Sequence, residues 1–362
     1  MKVLLLFTSS HLGGAERSLT RMALSSTGVD YQLATLDGEG PWCDWVRSHG
    51  HEPWVYGEEV GLIRRLVRIV RDIKRSSIDI VYVCGVRASL MMRFLLLLLP
   101  HVNLIHGVRW NPNTNSRLDL FFRLVERTTN KLVDAWITNS AAAKKTLVTR
   151  CQIPSQKVHI IYNGLETAPT NIPPIRERAM EVLTVANLNP RKGYLEYLSV
   201  IRKVVQQIPE ARFIFIGRDD MDGKVQQAIV KEGLSDIITW LGFQEDVSPW
   251  LKRARVFALP SLWGEGCPTS ILEANAYMLP VVAYSIDGIP ELIENDFNGI
   301  LATPYNQGEF ANAIIKILSD EKIAQIMGRS GRERVEKNFS LKSCIEEHHA
   351  CFSTLASKRK RT

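Results

Sequence analysis

The chain has 362 residues, 45% hydrophobic and 23% charged, which suits an ordinary α/β protein of about two domains, each large enough to bury its own core. Six scattered cysteines, Cys43, Cys84, Cys151, Cys267, Cys344 and Cys351, form no CxxC pair and no metal-ligand spacing, so a reducing compartment is expected and a structural metal is not. The net charge of +7 lies wholly in residues 1–168, where 21 Lys or Arg meet 14 acids, the rest being balanced at 24 each; no nucleic-acid-binding motif accompanies it, which favours an anionic membrane face as partner.

Lys2 to Phe7 (KVLLLF) is too short an apolar core for a signal peptide and reads as a first buried strand. The loop SSHLGGAE leads into a helix near Glu16, and Gly13 and Gly14 allow backbone to approach a phosphate closely. Strands follow at 31–35 and 79–83 with helices between and after, an order that predicts a parallel sheet covered on both faces. Gly61 to Ser77 is a basic amphipathic helix, with Arg64, Arg65, Arg68, Arg71, Lys74 and Arg75 opposite an apolar side. It suits either a solvated helix face or an anionic membrane surface. The run Phe94 to Leu99 is far short of the ~20 apolar residues that a bilayer requires.

Asn103 to Asn113 (NLIHGVRWNPN) places His106 at the end of a strand, where open α/β sheets contact ligands, and Arg109 on the loop beyond. Asp134 to Leu147 reads as strand then helix, with Asn139 and Ser140 as cap residues. Val158 to Glu166 is a strand with an Asn-Gly turn, and the Pro-rich Thr167 to Pro174 is a linker. Beyond it, strands are expected at Val182 to Ala186, Ala211 to Gly217 and Ile238 to Phe243, then helix over Asn306 to Arg334 and over Ser340 to Leu355. Lys358, Arg359, Lys360 and Arg361 form a basic tail.

The most informative stretch is Leu259 to Ile289, LPSLWGEGCPTSILEANAYMLPVVAYSIDGI. VFALPS reads as a buried strand ending at Pro260 and Ser261, and Thr269 to Met278 as a helix entered at Pro268. Glu265 then sits on the loop and Glu273 one turn into the helix, eight positions apart in sequence. Backbone amides near Gly266, Cys267, Thr269 and Ser270 suit a phosphate, and the two carboxylates suit pairs of hydroxyls. The other reading of Glu273 is a cap on its own helix end.

This Glu-x7-Glu stretch, with EG-x-P after the first acid and LEA around the second, resembles the donor loop of family 4 retaining glycosyltransferases of the GT-B fold. The resemblance continues through VVAYSIDGIPELIENDFNG and covers nearly the whole chain. It implies two Rossmann-like domains facing a central cleft: an acceptor-binding domain over 1–168, a nucleotide-sugar-binding domain over 169–340, and over 341–362 a helix crossing back to the first domain with the basic tail.

By the same resemblance Glu265 touches the transferred sugar, Glu273 holds the ribose and Lys192 the diphosphate. Gly13 and Gly14 lie beside that diphosphate, Phe243 and its loop beside the base, and Gly217 at a strand tip in the donor site. Gly266, Cys267, Pro268, Thr269 and Ser270 complete the donor loop, while His106 and Arg109 face the acceptor. Asn187 stands where many members carry Arg, which leaves open whether Arg191 supplies the second cation.

The implied reaction is a metal-independent, retaining hexosyl transfer from a nucleoside-diphosphate sugar to a glycan or lipid-linked acceptor, with no cofactor. Its expected setting is cell-surface polysaccharide assembly, in the cytoplasm or at the inner face of the cytoplasmic membrane. A GT-B sugar-nucleotide epimerase and a non-catalytic, membrane-associated partner of a glycan assembly complex are the alternatives.

Overall fold

A computed structural model describes residues 1–57, 61–166 and 170–359. The chain divides into two compact units, Met1–Gly164 with Leu341 onward, and Leu165–Ser340.

In the first unit strand and helix alternate: β1 (Lys2–Phe7), α1 (Gly14–Leu24), β2 (Asp30–Thr35), α2 (Pro41–Ser48), β3 (Trp54–Val55), α3 (Leu62–Arg75), β4 (Ile80–Cys84), α4 (Val86–Leu95), β5 (Asn103–Val108), α5 (Arg117–Thr129), β6 (Ala135–Thr138), α6 (Ala141–Arg150) and β7 (Val158–Ile160). The strands form one parallel sheet in the order 3-2-1-4-5-6-7, β1 lying between β2 (Leu5 opposite Leu33) and β4 (Leu5 opposite Tyr82). The β1 run explains itself by its two-residue period. Leu4 and Leu6 enter one apolar layer, and Val3, Leu5 and Phe7 enter the other, so the strand is apolar on both faces because both are covered. Ser140 caps α6 by accepting from the Ala143 amide at 3.1 Å.

The second unit repeats the plan with β8 (Glu181–Val185), α7 (Tyr194–Gln207), β9 (Arg212–Ile216), α8 (Lys224–Lys231), β10 (Ile238–Trp240), α9 (Ser248–Arg253), β11 (Val256–Leu259), α10 (Thr269–Ala276), β12 (Val281–Tyr284), α11 (Ile289–Leu292), β13 (Gly299–Ala302), α12 (Gln307–Ser319) and α13 (Glu321–Asn338). Its parallel sheet has the order 10-9-8-11-12-13. The last helix, α14 (Leu341–Arg359), belongs to the first unit, where Cys344, Cys351, Phe352 and Leu355 close the layer begun by Val3, Leu5 and Phe7.

Some expectations are corrected. The strands β3, β12 and β13 were not anticipated; β3 is two residues long, too short for a pattern. The helical stretch near the end breaks at Asp320, whose carboxylate accepts from the Ile323 amide at 3.0 Å and starts α13. The apolar side of α3 is only partly inside: Ile69 and Ile73 are buried, while Leu62, Ile63 and Val67 are exposed. Part of the expected linker, 167–169, lies outside the described residues, as do the side chains of the basic tail.

Candidate active site

In each sheet the strand order reverses beside its first strand, between β1 and β4 and between β8 and β11. Ligands of doubly wound sheets bind outside the carboxyl ends of the strands at such a reversal. In the second unit the loops leaving those ends carry Asn187, Arg191 and Lys192 after β8, and Pro260 to Pro268 after β11.

The two loops are locked together. Leu262 donates its amide to the Arg191 carbonyl at 2.7 Å. Gly193 ends the turn at φ +67, and a Cβ there would stand 2.3 Å from the Pro260 carbonyl oxygen, so both conformation and space demand glycine. This brings Lys192 Nζ onto Glu265 Oε1 in an ion pair whose side chains are only 12% and 6% exposed. Arg191 donates to the Gly264 carbonyl at 3.3 Å.

Two cations thus face one carboxylate. Burial pushes the Glu265 carboxyl up, but Lys192 and Arg191 outweigh it and hold the group below the usual carboxylate range. Burial and the Arg191 charge draw the Lys192 ammonium below its ordinary value, against the pull of Glu265. Burial dominates the Lys192 direction and the two cations dominate that of Glu265; two cations against one carboxylate leave a net positive charge, which is a place for an anion.

A residue not singled out in the sequence completes the loop. Asp287, at φ 48 after β12, accepts from the Gly264 amide at 2.7 Å and the Glu265 amide at 3.1 Å. It fixes the backbone that aims Glu265. Pro268 is the N-cap of α10, leaving Thr269 and Ser270 in the helix's first turn and Glu273 on the same helix, partly exposed; Gly266 and Cys267 are buried. Asn187 serves the fold: its Oδ1 accepts from the Arg218 amide at 3.2 Å. Gly217, at φ +153, lets β9 approach so closely that a Cβ would lie 2.1 Å from the Ala186 carbonyl oxygen. Phe243 is half exposed on the loop after β10.

In the first unit, Gly13 is the extended N-cap of α1. The Glu16 carboxylate folds back over it onto the Gly13 and Glu16 amides, and burial raises that carboxyl. The head of α1 thus holds the chain's own acid beside the glycines expected to meet a phosphate. Arg109 donates to Ser18 Oγ at 3.4 Å and to Asn163 Oδ1, and its Nε and Nη1 are buried without a hydrogen-bond partner.

His106 stands two residues before the end of β5, its ring fully buried, with Nδ1 2.9 Å from Glu126 Oε1 and Nε2 without a hydrogen-bond partner. Burial pushes the Glu126 carboxyl up, but His106 and Arg93 hold it below the usual range, and Trp136 Nε1 donates to it at 2.6 Å. The Nδ1 side of the imidazole is thus held by the buried Arg93 and Glu126 pair. In β5, Leu104, His106 and Val108 share one face, but both faces of the sheet are covered, so alternation does not distinguish a core histidine from a site histidine.

Family models match both units: residues 12–169 match "Glycosyltransferase Family 4" and residues 170–334 match "Glycosyl transferases group 1". Among curated relatives, the UDP-Gal:alpha-D-GlcNAc-diphosphoundecaprenol alpha-1,3-galactosyltransferase of Escherichia coli is 24% identical over 79% of this chain and 78% of its own length. The amylovoran biosynthesis glycosyltransferase AmsK of Erwinia amylovora is 30% identical over 52% of this chain and 48% of its own length. Among solved structures, Anabaena HepE in complex with UDP-glucose superposes with a TM-score of 0.86 at 20% identity, over 98% of this chain and 100% of that one. HepE in complex with UDP and glucose gives 0.85 at 22% identity over the same shares.

Proposed function

Because the chain belongs to the glycosyltransferases of family 4 and group 1, with the GT-B fold, we propose that it moves a hexose from a nucleoside-diphosphate sugar to a glycan or lipid-linked acceptor in cell-surface polysaccharide assembly. The transfer is retaining, requires no metal and uses no cofactor. Uridine diphosphate is the carrier we favour, since HepE is solved with UDP and UDP-glucose and the E. coli relative is named for UDP-Gal.

The observation that carries this reading is the excess of positive charge that Arg191 and Lys192 leave around the buried Glu265 beside the head of α10. As the bond between the anomeric carbon and the diphosphate oxygen breaks, its electron pair passes to the leaving group, whose charge grows. Lys192, Arg191 and the amides of Thr269 and Ser270 are the donors that stabilise it, and Arg191 supplies the second cation that position 187 lacks. Glu265, already an ion-paired acceptor, orients hydroxyls of the sugar; Glu273 accepts from the ribose, and the loop at Phe243 lies beside the base. The acceptor attacks from the leaving-group face and gives its proton to the departing phosphate, which keeps the anomeric configuration. Arg109, with unpartnered nitrogens, meets a phosphate of a lipid-linked acceptor. An anionic membrane surface met by the α3 cations, at the inner face of the cytoplasmic membrane, is the setting.

The test is incubation with UDP-glucose or UDP-galactose and a diphospholipid-linked sugar, with the product's anomeric configuration read by NMR and a parallel reaction in EDTA. An α-linked product formed at the same rate in EDTA is expected. A β-linked product, or loss of rate on chelation, would overturn retention or metal independence respectively. Conversion of donor with no acceptor present would favour an epimerase.

A further inference from the structure

One face of the first unit's sheet is covered by α3, α4, α5 and α6, whose inner residues share one apolar layer. The outer side of that cover is unusual. Ten of the eleven exposed large apolar side chains among this unit's described residues sit on α3, on α4 and the turn after it, and on α5. On α5, Leu118, Phe121 and Leu124 recur every third residue and are 63%, 50% and 60% exposed.

The same helix turns its carboxylates inward. Asp119 accepts from the Thr114 amide at 3.0 Å, and Glu126 pairs with Arg93 and His106. A water-facing helix has the opposite arrangement. Arg93 of α4 also reaches the Val125 carbonyl at 3.4 Å, which holds α4 against α5 and sets Phe94, Leu97 and Leu98 on the neighbouring element.

Charge decides what covers this face. Exposed cations flank it on α3 (Arg64, Arg71, Lys74) and at α5 and its end (Arg117, Arg127, Lys131). Over residues 62–75, 86–99 and 117–131 no carboxylate is exposed: Asp119 and Glu126 are buried, and Asp72 is mostly covered and ion paired with Arg68 at 3.6 Å. A second copy pairing through this face by a two-fold axis would set cations against cations. An anionic leaflet supplies both acyl chains and negative headgroups.

We propose that this face docks on an anionic lipid surface, with Leu97, Leu98 and Phe121 entering the headgroup boundary and the flanking arginines and lysines meeting lipid phosphates. The surface is thus an insertion site built on α4 and α5, and α3 is its basic flank. The proposal rests on the transferase reading for its purpose, but docking is measured without any transfer.

The experiment sediments the full chain with vesicles of phosphatidylglycerol and phosphatidylcholine in equal parts, and with vesicles of phosphatidylcholine alone. Wild type is compared with L97S/L98S/F121S, whose melting temperature and uridine diphosphate affinity should not move. The chain is expected to bind the mixed vesicles, and the triple variant to bind them at least about tenfold more weakly. Undiminished binding by the triple variant, no binding by wild type, or equal binding to both vesicles would overturn the proposal. So would a wild-type dimer in gel filtration that the same substitutions dissolve. Absence of sugar transfer in the assay above would leave the vesicle result standing, so the two failures are separable.

Discussion

Glu265 and Lys192 are chemically legible in the sequence as a carboxylate and a cation near glycines, but their meeting depends on loops 73 positions apart. What aims them was not legible. Asp287 contributes two hydrogen bonds across 22 and 23 positions, and no local pattern announces such bonds. Asp287→Ala leaves two loop amides without their acceptor, a cost of about 1–3 kcal/mol for each amide that stays dry. The expected outcome is a rise in the donor KM together with a fall in kcat, and Asp287→Asn, which keeps one acceptor oxygen, should recover most of both. Steady-state kinetics on the three proteins check this; wild-type kinetics in Asp287→Ala would show that the loop needs no such brace. The surroundings of His106 were not legible for a related reason, since its partners Arg93 and Glu126 come from two helices.

At the scale of elements, the buried parallel strands and the α10 entry at Pro268 were readable, because apolar runs and proline act locally. The short strand β3 and the division of α12 from α13 were not. The helix α14 carries a test of its own. His348 is fully buried against Tyr82 and Phe352, its Nδ1 donating to the Cys344 carbonyl at 2.7 Å, and burial pushes its pKa down to about 3. In the unfolded chain the same group titrates near about 6.5. Between those values the unfolded state binds more protons, so stability falls as pH drops below the unfolded value. Moving from pH 7 to pH 5 should cost about 2 kcal/mol through this residue. Denaturant midpoints at the two pH values, for wild type and His348→Asn, measure it. The variant should be less stable at pH 7 but should lose about 2 kcal/mol less on acidification; an identical acid loss in both would refute the assignment.

For the whole molecule, the two-unit division has an asymmetric consequence. Residues 165–340 are continuous and carry their own core. Residues 1–164 lack α14, which supplies Cys344, Cys351, Phe352 and Leu355 to one of that unit's two apolar layers. Expressed alone, 165–340 should unfold cooperatively and bind uridine diphosphate, whereas 1–164 should be insoluble or expose a dye-binding surface. Calorimetry and dye fluorescence of the two fragments check this; a stable, dye-silent 1–164 would contradict it. The resemblance carried by Glu-x7-Glu spans both units, which is why the fold was legible before its contacts were. The docking face was not, because exposure of Leu97 or Phe121 is a tertiary fact that composition does not hold.

On the proposed function, the excess positive charge around Glu265 receives a diphosphate. Truncating Lys192 to alanine would leave a buried carboxylate short of its partner, a loss of roughly 3–5 kcal/mol that confuses binding with folding, so Lys192→Gln, which can still donate to Glu265, is the better variant. The most direct measurement is calorimetric titration of uridine diphosphate into wild type and Lys192→Gln, both checked for an intact melting transition. Wild type is expected to bind and the variant to bind at least about tenfold more weakly; equal affinity in the two proteins would overturn a diphosphate site at Lys192.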